Sequence, residues 1–264
     1  MNEPSRQIDY GLNGKVALIS GASRRIGIGA TLALELAKAG CNIFTTWYSP
    51  YDNLAYGKDS SIEAQEILQA VRAQGVLAGG MQADLGDPHV PAFLFDAVER
   101  GLGPVDILIN NAAYSINSDI YTLTAELMDA HYNVNLRGAV LMCAEFARRH
   151  NGRAGGRIIN LTSGQSVGPM PEEIPYITTK GAIEALTTSL SETLIQKGIT
   201  VNAVDPGVTD TGWINHELYA ELMAASPAGR VGTPLDAARI ILFLASSQAG
   251  WVTGQIVHSR GSVR

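Results

Sequence analysis

The stretch KVALISGASRRIGIGATLALELAKAG, residues 15–40, predicts a strand, a glycine-rich turn and a helix in direct succession. KVALIS is a short apolar run of the buried-strand type, and ATLALELAKAG has the pattern of a helix. The turn between them contains Gly21, Gly27 and Gly29. Glycines let backbone amides approach a pyrophosphate closely, and the amino terminus of the following helix favours negative charge. This order of elements therefore predicts a dinucleotide-binding turn.

Strands and helices alternate along the rest of the chain. Short apolar runs predict seven strands, at 15–20, 42–47, 76–84, 105–110, 156–162, 199–204 and 255–258. Helical patterns separate them, at 29–39, 61–74, 91–101, 124–149, 176–197 and 234–246. Such alternation predicts an α/β, doubly wound (Rossmann), mostly parallel seven-stranded sheet with helices on both faces. We expect a single domain over residues 1–264, with residues 1–13 as an amino-terminal extension.

Two longer stretches are predicted to be irregular. The first, YSPYDNLAYGKDS at 48–60, is rich in aromatic residues and follows the second predicted strand. The second, at about 207–232, carries Trp213, Tyr219 and Met223, which are large apolar residues that need a partner. Long loops at the carboxyl ends of strands often cover ligands. We therefore expect the second stretch to form a lid over a substrate.

Composition excludes several functional classes. The chain has 264 residues and a formal net charge of −6, so it has no basic surface of the kind that binds nucleic acid. Its two cysteines and five scattered histidines show no metal-site spacing. No stretch approaches the roughly 20 apolar residues that cross a membrane, and the polar amino terminus does not resemble a signal peptide. We expect a cytoplasmic protein without a metal.

Tyr176 and Lys180 are the first candidates for catalysis. They lie four residues apart in a predicted helix and so share one face. An ammonium one turn away favours the phenolate, so the pair is expected to exchange a proton with a carbonyl or carbinol oxygen. The same spacing also occurs on an ordinary, partly exposed helix face, and the pair alone leaves both interpretations open.

The residues that end the second predicted strand bear on the choice of dinucleotide. An NAD enzyme usually has a carboxylate there, about 20 residues after the glycines. This chain has Trp47 and Tyr48 instead, and no carboxylate before Asp52. Arg24 and Arg25 in the glycine turn suit a 2′-phosphate. NADP(H) is favoured, and NAD(H) is the alternative.

Taken together, these motifs resemble the short-chain dehydrogenase/reductase family, from Lys15 to about Gly261, and most closely its 3-oxoacyl-acyl-carrier-protein reductase type. The resemblance rests on the glycine turn, Asp84 in ADLGD, Asn110-Asn111-Ala112-Ala113, Asn135 in NVNLRG, Ser163 in LTSGQS, Tyr176 with Lys180, Pro206-Gly207 in DPGVTDT and the terminal TGQIVH.

The resemblance implies a catalytic role for four residues. Tyr176 is expected to be the general acid or base, and Lys180 to lower its pKa and hold the nicotinamide ribose. Ser163 is expected to polarise the substrate oxygen, and Asn135 to anchor a water linked to Lys180. The implied cofactor contacts are Gly21, Ser23, Arg24, Arg25, Gly27, Ile28, Gly29, Asp84, Leu85, Asn111, Ala112, Ala113, Tyr176, Lys180, Pro206, Gly207, Val208 and Thr211.

Three features depart from the family pattern. Ser20 replaces a threonine, and two extra residues separate Gly21 from Gly27, which we assign to an insertion in the phosphate loop. Ala113 stands where a glycine is common. The tail HSRGSVR replaces a pair of glycines, and we expect this change to affect packing at a subunit contact without touching the chemistry.

The implied activity is the NADP(H)-dependent reduction of a carbonyl, either a 3-oxoacyl thioester or another ketone, to a secondary alcohol. The alternatives are an NAD-dependent alcohol dehydrogenase acting on a small or sugar-like alcohol, and a non-catalytic dinucleotide-binding sensor. The substrate is expected to be a free small molecule or one carried by an acyl carrier. The resemblance also implies a homotetramer packed through the fourth and fifth predicted helices and the carboxyl-terminal strand.

Overall fold

The seven strands form one sheet in a computed structural model that describes residues 8–261. Their order is β3-β2-β1-β4-β5-β6-β7, and every pairing between neighbours in this part of the chain is parallel. The predicted doubly wound α/β fold is confirmed. Residues 1–7 of the predicted extension lie outside the described residues. The strand bounds are β1 Val16–Ile19, β2 Asn42–Trp47, β3 Ala78–Gln82, β4 Ile107–Asn110, β5 Gly156–Leu161, β6 Ile199–Asp205 and β7 Ile256–His258.

Nine α-helices are found within residues 8–261. Their bounds are α1 Ile28–Lys38, α2 Ser49–Tyr56, α3 Ser61–Arg72, α4 Val90–Gly101, α5 Ala125–His131, α6 Ala139–Arg149, α7 Ile174–Leu194, α8 His216–Ala225 and α9 Pro234–Ala245. None of the helices described over this range is both long and apolar enough to span a membrane.

Two hydrophobic cores lie on opposite faces of the sheet, because successive side chains of a strand point to opposite sides. In β1, Ala17 and Ile19 belong to the core that α1, α3 and α9 cover. Val16 and Leu18 belong to the core under α4, α6 and α7. Burial on both faces explains why β1 reads as a continuous apolar run.

The stretch 48–60 is not irregular, and that expectation is wrong. Residues Ser49–Tyr56 form α2, with Pro50 in the first turn and Gly57 at the carboxyl end in a left-handed conformation, φ 64°. The buried carboxylate of Asp52 accepts hydrogen bonds from the Ser23 and Ser60 hydroxyls. The sequence pattern did not predict this helix, because its residues are polar and aromatic and one of these hydrogen bonds comes from Ser23, far away in the chain.

The predicted lid region also contains a helix, α8. It begins after Asn215, whose side chain accepts a hydrogen bond from the Leu218 amide at 2.8 Å. No residue of α8 is buried, and Tyr219 and Met223 are exposed. Trp213 lines the cleft, and its Nε1 donates to the Thr209 carbonyl at 2.9 Å.

The predicted helix 124–149 is continuous but not uniform. Between α5 and α6, residues Tyr132–Gly138 are wound as a π-helix. Such wider turns are rare and are frequently found at functional sites. Asn135 lies at the middle of this π-helical segment and is buried.

Candidate active site

The carboxyl ends of the parallel strands open into one cleft of about 1080 Å³. In doubly wound sheets this edge is where ligands bind. The predicted site residues line this cleft, apart from Arg25, Asn135 and Lys180. Residues from widely separated parts of the sequence are thus gathered at one site.

The glycine turn packs tightly against the end of β4. Gly21 has φ +75°, and a Cβ on it would lie 2.7 Å from the Ala112 Cα. The Asn111 side-chain amide donates to the carbonyls of Ser20 and Gly21 at 2.9 and 2.8 Å. The Ser20 hydroxyl accepts from the amides of Asn111 and Ala112 at 3.0 and 3.1 Å. Serine thus makes the contacts between β1 and β4 at the position where the family pattern has threonine.

The amino terminus of α1 has the features of a phosphate site. The helix begins after Gly27, which provides no side-chain cap, and its first turn contains no acidic residue. The first amides of a helix have no partner within the helix. These amides line the cleft at Ile28 and Gly29, so they can donate to a pyrophosphate.

The two arginines of the glycine turn point in different directions. Arg24 lies over the Tyr56 ring, with its Cζ 3.7 Å from the ring centroid, and donates to the Thr211 carbonyl at 2.8 Å. Arg25 is exposed and forms an ion pair with Glu66 at 3.3 Å. Arg25 was expected to contact the cofactor, but it does not line the cleft. Its side chain points away from the cleft because it pairs with Glu66.

Tyr176 and Lys180 occupy the first two turns of α7, beside the end of β5. The Lys180 Nζ donates to the Leu161 carbonyl at 2.8 Å and lies 5.4 Å from the centroid of the Tyr176 ring. Ser163 follows β5 and lines the same part of the cleft as Tyr176. The three side chains are brought together as the sequence predicts.

The electrostatics of the pair depend on burial. Burial raises the pKa of the Tyr176 phenol, the Glu173 carboxyl raises it further, and the Ser163 hydroxyl acts in the opposite direction. Burial also lowers the pKa of Lys180 to about 8. Burial thus dominates the pKa of both groups, and the expected effect of Lys180 on Tyr176 stays a prediction. At neutral pH the phenol holds its proton.

Asn135 holds two neighbouring elements in place. Its Nδ2 donates to the Tyr114 carbonyl at 2.8 Å and to the Thr179 hydroxyl at 3.2 Å. Its Oδ1 accepts from the Tyr114 amide at 2.7 Å. Both amide hydrogens are thus used by protein groups that flank Lys180 and the loop after β4. The expected link to a water stays a prediction.

Two tyrosines of α2 are cleft residues that the sequence analysis missed. The Tyr51 hydroxyl accepts from the Ser115 amide at 3.2 Å and donates to the Ser115 carbonyl at 3.4 Å. The centroid of its ring lies 5.2 Å from that of the Tyr114 ring, and the Arg24 guanidinium lies over the Tyr56 ring. The aromatic character of YSPYDNLAYGKDS was the available signal.

Arg260 also lines the cleft, beside Gly164 and Gly207. The tail was expected to act at a subunit contact, and the structure places this one of its residues in the cleft lining. The last strand, β7, pairs in parallel with β6 and delivers Arg260 to the same sheet edge as Ser163. Residues 262–264 of the tail lie outside the described range.

A family model described as enoyl-(acyl carrier protein) reductase matches residues 21–261. The match covers the glycine turn, the π-helical segment, the Tyr176–Lys180 pair and Arg260. The chain belongs to the short-chain dehydrogenase/reductase family. It is an NAD(P)-dependent oxidoreductase, and its Rossmann-type sheet is the fold of that family.

Curated members of the family resemble the chain over most of its length. An uncharacterized oxidoreductase, YjdA of Bacillus subtilis, is 45% identical over 94% of this chain and 96% of its own length. A 3-oxoacyl-[acyl-carrier-protein] reductase, FabG of Staphylococcus aureus, is 33% identical over 94% of this chain and 98% of its own.

Solved structures of family members superpose closely. The promiscuous reductase LugOII, which catalyses keto-reduction at C1 during lugdunomycin biosynthesis, has a TM-score of 0.86 at 33% identity, covering 96% of this chain and 98% of its own. A short-chain dehydrogenase of Burkholderia cenocepacia in complex with NADP has a TM-score of 0.85 at 30% identity, with the same coverage.

Proposed function

We propose that the protein is an NADPH-dependent carbonyl reductase that converts a small-molecule ketone to a secondary alcohol. The observation that supports this proposal is the burial, protonation and position of Tyr176. It is a buried phenol that keeps its proton at neutral pH, beside Ser163 and in the same cleft as the dinucleotide turn. Reduction of a carbonyl needs a proton donor at this place, and the same group takes the proton back in the reverse oxidation.

The bound dinucleotide supplies the hydride, and the chain supplies orientation and the proton. The Ser163 hydroxyl donates to the carbonyl oxygen, which stabilises the negative charge that develops there. Tyr176 then gives its proton to that oxygen. Lys180, with a pKa lowered to about 8, is suited to pass a proton to the tyrosine near neutral pH.

The choice of NADPH rests on Arg24 and Asp52. The first carboxylate after β2, Asp52, is buried and accepts two serine hydroxyls, so it is not available to a ribose 2′-hydroxyl. Arg24 lies in the cleft with its guanidinium stacked on Tyr56. The complex of the Burkholderia cenocepacia relative with NADP supports the same choice.

A free ketone is favoured over an acyl group on a carrier protein. Recognition of an acidic carrier needs a basic surface. Two of the basic residues that could form it are engaged in ion pairs: Arg148 with Glu145, and Arg149 with Glu145, Asp96 and Glu99. Lys197, the third such residue, is exposed. The keto-reduction that LugOII performs supports a ketone substrate.

The test is a substrate screen that follows NADPH absorbance. The panel contains simple ketones, diketones, aromatic ketones and acyl-thioester ketones, each run in parallel with NADH. We expect turnover of free ketones with NADPH. Turnover of alcohols with NAD⁺ and of no ketone would instead indicate the alcohol dehydrogenase. NADPH binding without turnover of any substrate would indicate a sensor.

We also propose a homotetramer, as the family resemblance implies, with the α5–α6 segment, α7 and the β7 region at the contacts. Light scattering coupled to size exclusion measures the assembly directly. A mass near that of the 28.0 kDa chain would exclude it.

A further inference from the structure

A network of charged side chains stands at the carboxyl end of β6, next to the cleft. Asp205, the last residue of β6, has a side chain only 1% exposed. Its Oδ2 accepts from the Arg260 Nη1 at 2.9 Å and lies 3.0 Å from the His258 Nδ1. Its Oδ1 accepts from the Gly207 amide at 2.8 Å. The buried carboxylate therefore fixes the guanidinium against one wall of the cleft.

Two glycines make room for Arg260. A Cβ on Gly164 would collide with the Nη1 of the guanidinium, and a Cβ on Gly207 would lie 2.9 Å from the Arg260 Cα. Gly164 directly follows Ser163. The guanidinium is thus packed on the backbone next to the hydroxyl that is proposed to hold the substrate oxygen.

Most of the guanidinium's donors remain available to a ligand. Arginine carries five N–H donors and no acceptor. Asp205 is its one hydrogen-bond acceptor within residues 8–261. The side chain is 19% exposed and lines the cleft. A guanidinium fixed in this way presents its remaining edge as a fork, the geometry that binds a carboxylate through two parallel hydrogen bonds.

The other charged groups of the cleft lie elsewhere or are engaged. Arg24 bonds the Thr211 carbonyl and stacks on Tyr56, at the glycine-turn side. Glu173 lines the cleft near Tyr176, and burial together with the Glu172 carboxylate raises its pKa. Arg260 is the cation fixed beside Ser163.

We propose that Arg260 binds a carboxylate on the substrate, so that the enzyme selects ketones that carry an acidic group over neutral ketones of the same shape. This assignment rests on the proposed carbonyl reduction. The ketone oxygen faces Ser163 and Tyr176, and the acidic group of the same molecule faces the guanidinium.

The test compares oxo acids with their methyl esters, for example 4-oxopentanoate and 4-acetylbenzoate. The measured quantity is the ratio of kcat/KM for the acid to kcat/KM for its ester. We expect a ratio well above one for the wild type. A charged hydrogen bond contributes enough to binding that its removal is expected to lower the ratio on the order of 10- to 100-fold.

The variant is Asp205→Asn/Arg260→Met, since Arg260→Met alone would leave the buried carboxylate of Asp205 without its arginine partner, with His258 as the remaining side chain beside it. Asparagine keeps the Oδ1 acceptor for the Gly207 amide. Arg260→Lys keeps the charge without the fork and is expected to retain part of the ratio. Arg230→Met is the matched control, because Arg230 pairs with Asp236 outside the cleft lining.

Calorimetry of 4-acetylbenzoate binding to the protein with NADP⁺ gives a readout that does not require turnover. We expect weaker binding to the double variant. An unchanged ratio, or an equal loss for acid and ester, would overturn the proposal and assign Arg260 a structural role. A weaker NADPH affinity with an unchanged ratio would overturn it in favour of the dinucleotide phosphates. If the wild type reduces neutral ketones without preference for acids, only this proposal fails. If it reduces no ketone, the proposed function fails, and the calorimetric comparison still decides whether Arg260 binds the acid.

Discussion

The two walls of the cleft hold their functional side chains in different ways. The wall built by β5 and α7 positions Ser163, Tyr176 and Lys180 through a strand end and the spacing of one helix. The wall built by the glycine turn and α2 depends on contacts between distant parts of the chain, such as Arg24 with Thr211 and Tyr51 with Ser115. The first wall is set by local geometry and the second by tertiary packing.

This difference separates chemistry from recognition. Groups that transfer a proton must keep a fixed geometry relative to one another, and consecutive turns of a buried helix provide it. The groups expected to select the cofactor, Arg24 and Tyr56, lie on the glycine turn and on α2, which are separate from α7. Changes to the α7 wall should therefore abolish turnover, and changes to the α2 wall should alter affinity.

The largest effect is expected for Tyr176→Phe. Removal of the phenolic proton should lower kcat by about 10²–10⁴-fold while the dissociation constant for NADPH stays unchanged, since only the proton donor is lost. Single-turnover kinetics and NADPH fluorescence titration measure the two quantities. Tyr121→Phe, at a side chain exposed by 92%, is the control. Normal turnover by Tyr176→Phe would remove the catalytic assignment.

The next largest effect is expected on NADPH affinity, and it is tested by substituting two adjacent arginines, Arg24 and Arg25. Arg24→Met should weaken NADPH binding on the order of 10- to 100-fold relative to NADH, because a charged hydrogen bond to the 2′-phosphate is lost. Arg25→Met is the matched control, since Arg25 is exposed and paired with Glu66. Dissociation constants for both dinucleotides check this prediction. Equal losses for NADPH and NADH would show that Arg24 does not read the 2′-phosphate.

The α7 wall could be predicted from the sequence because short-range patterns determine where its side chains lie. Four-residue spacing places Tyr176 and Lys180 on one face, and Ser163 follows an apolar run of the buried-strand type. The alternation of strands and helices likewise determined the parallel sheet. Proximity at the carboxyl edge then follows from topology.

The α2 wall and Arg260 could not be predicted in the same way. The helix at Ser49–Tyr56 is short, polar and aromatic, and it is stabilised by the bonds of Asp52 to Ser23 and Ser60. Arg260 enters the cleft because β7 pairs with β6 and because Gly164 lacks a side chain. The raised pKa of Tyr176 depends on burial, which no spacing rule contains.

A smaller effect should follow from Tyr51→Phe. The variant loses two hydrogen bonds to the Ser115 backbone that hold α2 over the cleft. The free energy of unfolding should fall by about 1 kcal/mol, since the exposed backbone groups regain water. Urea denaturation measures the free energy of unfolding. NADPH affinity, measured in parallel, shows whether the cleft still binds the cofactor. No change in either quantity would show that α2 is held by its other contacts alone.

The smallest expected effect is on the pH dependence of stability. It is tested by comparing two buried histidines, His131 near the cleft and His150 remote from it. Burial lowers the pKa of both His131 and His150. The His131 Nε2 accepts from the Ile116 amide at 3.2 Å, so protonation would cost that bond. Both ring nitrogens of His150 lack a hydrogen-bond partner among residues 8–261, and its ring stacks on Phe146.

A histidine whose pKa is lower in the folded than in the unfolded chain binds fewer protons when folded, so its contribution to stability is complete above the unfolded pKa of about 6.5. The free energy of unfolding should therefore decline as the pH falls below that value. His150→Phe keeps the aromatic stack and should flatten part of this decline without affecting NADPH binding. Denaturant titrations at a series of pH values measure the slope. An unchanged slope in the variant would assign the pH dependence to His131, on the catalytic side of the molecule.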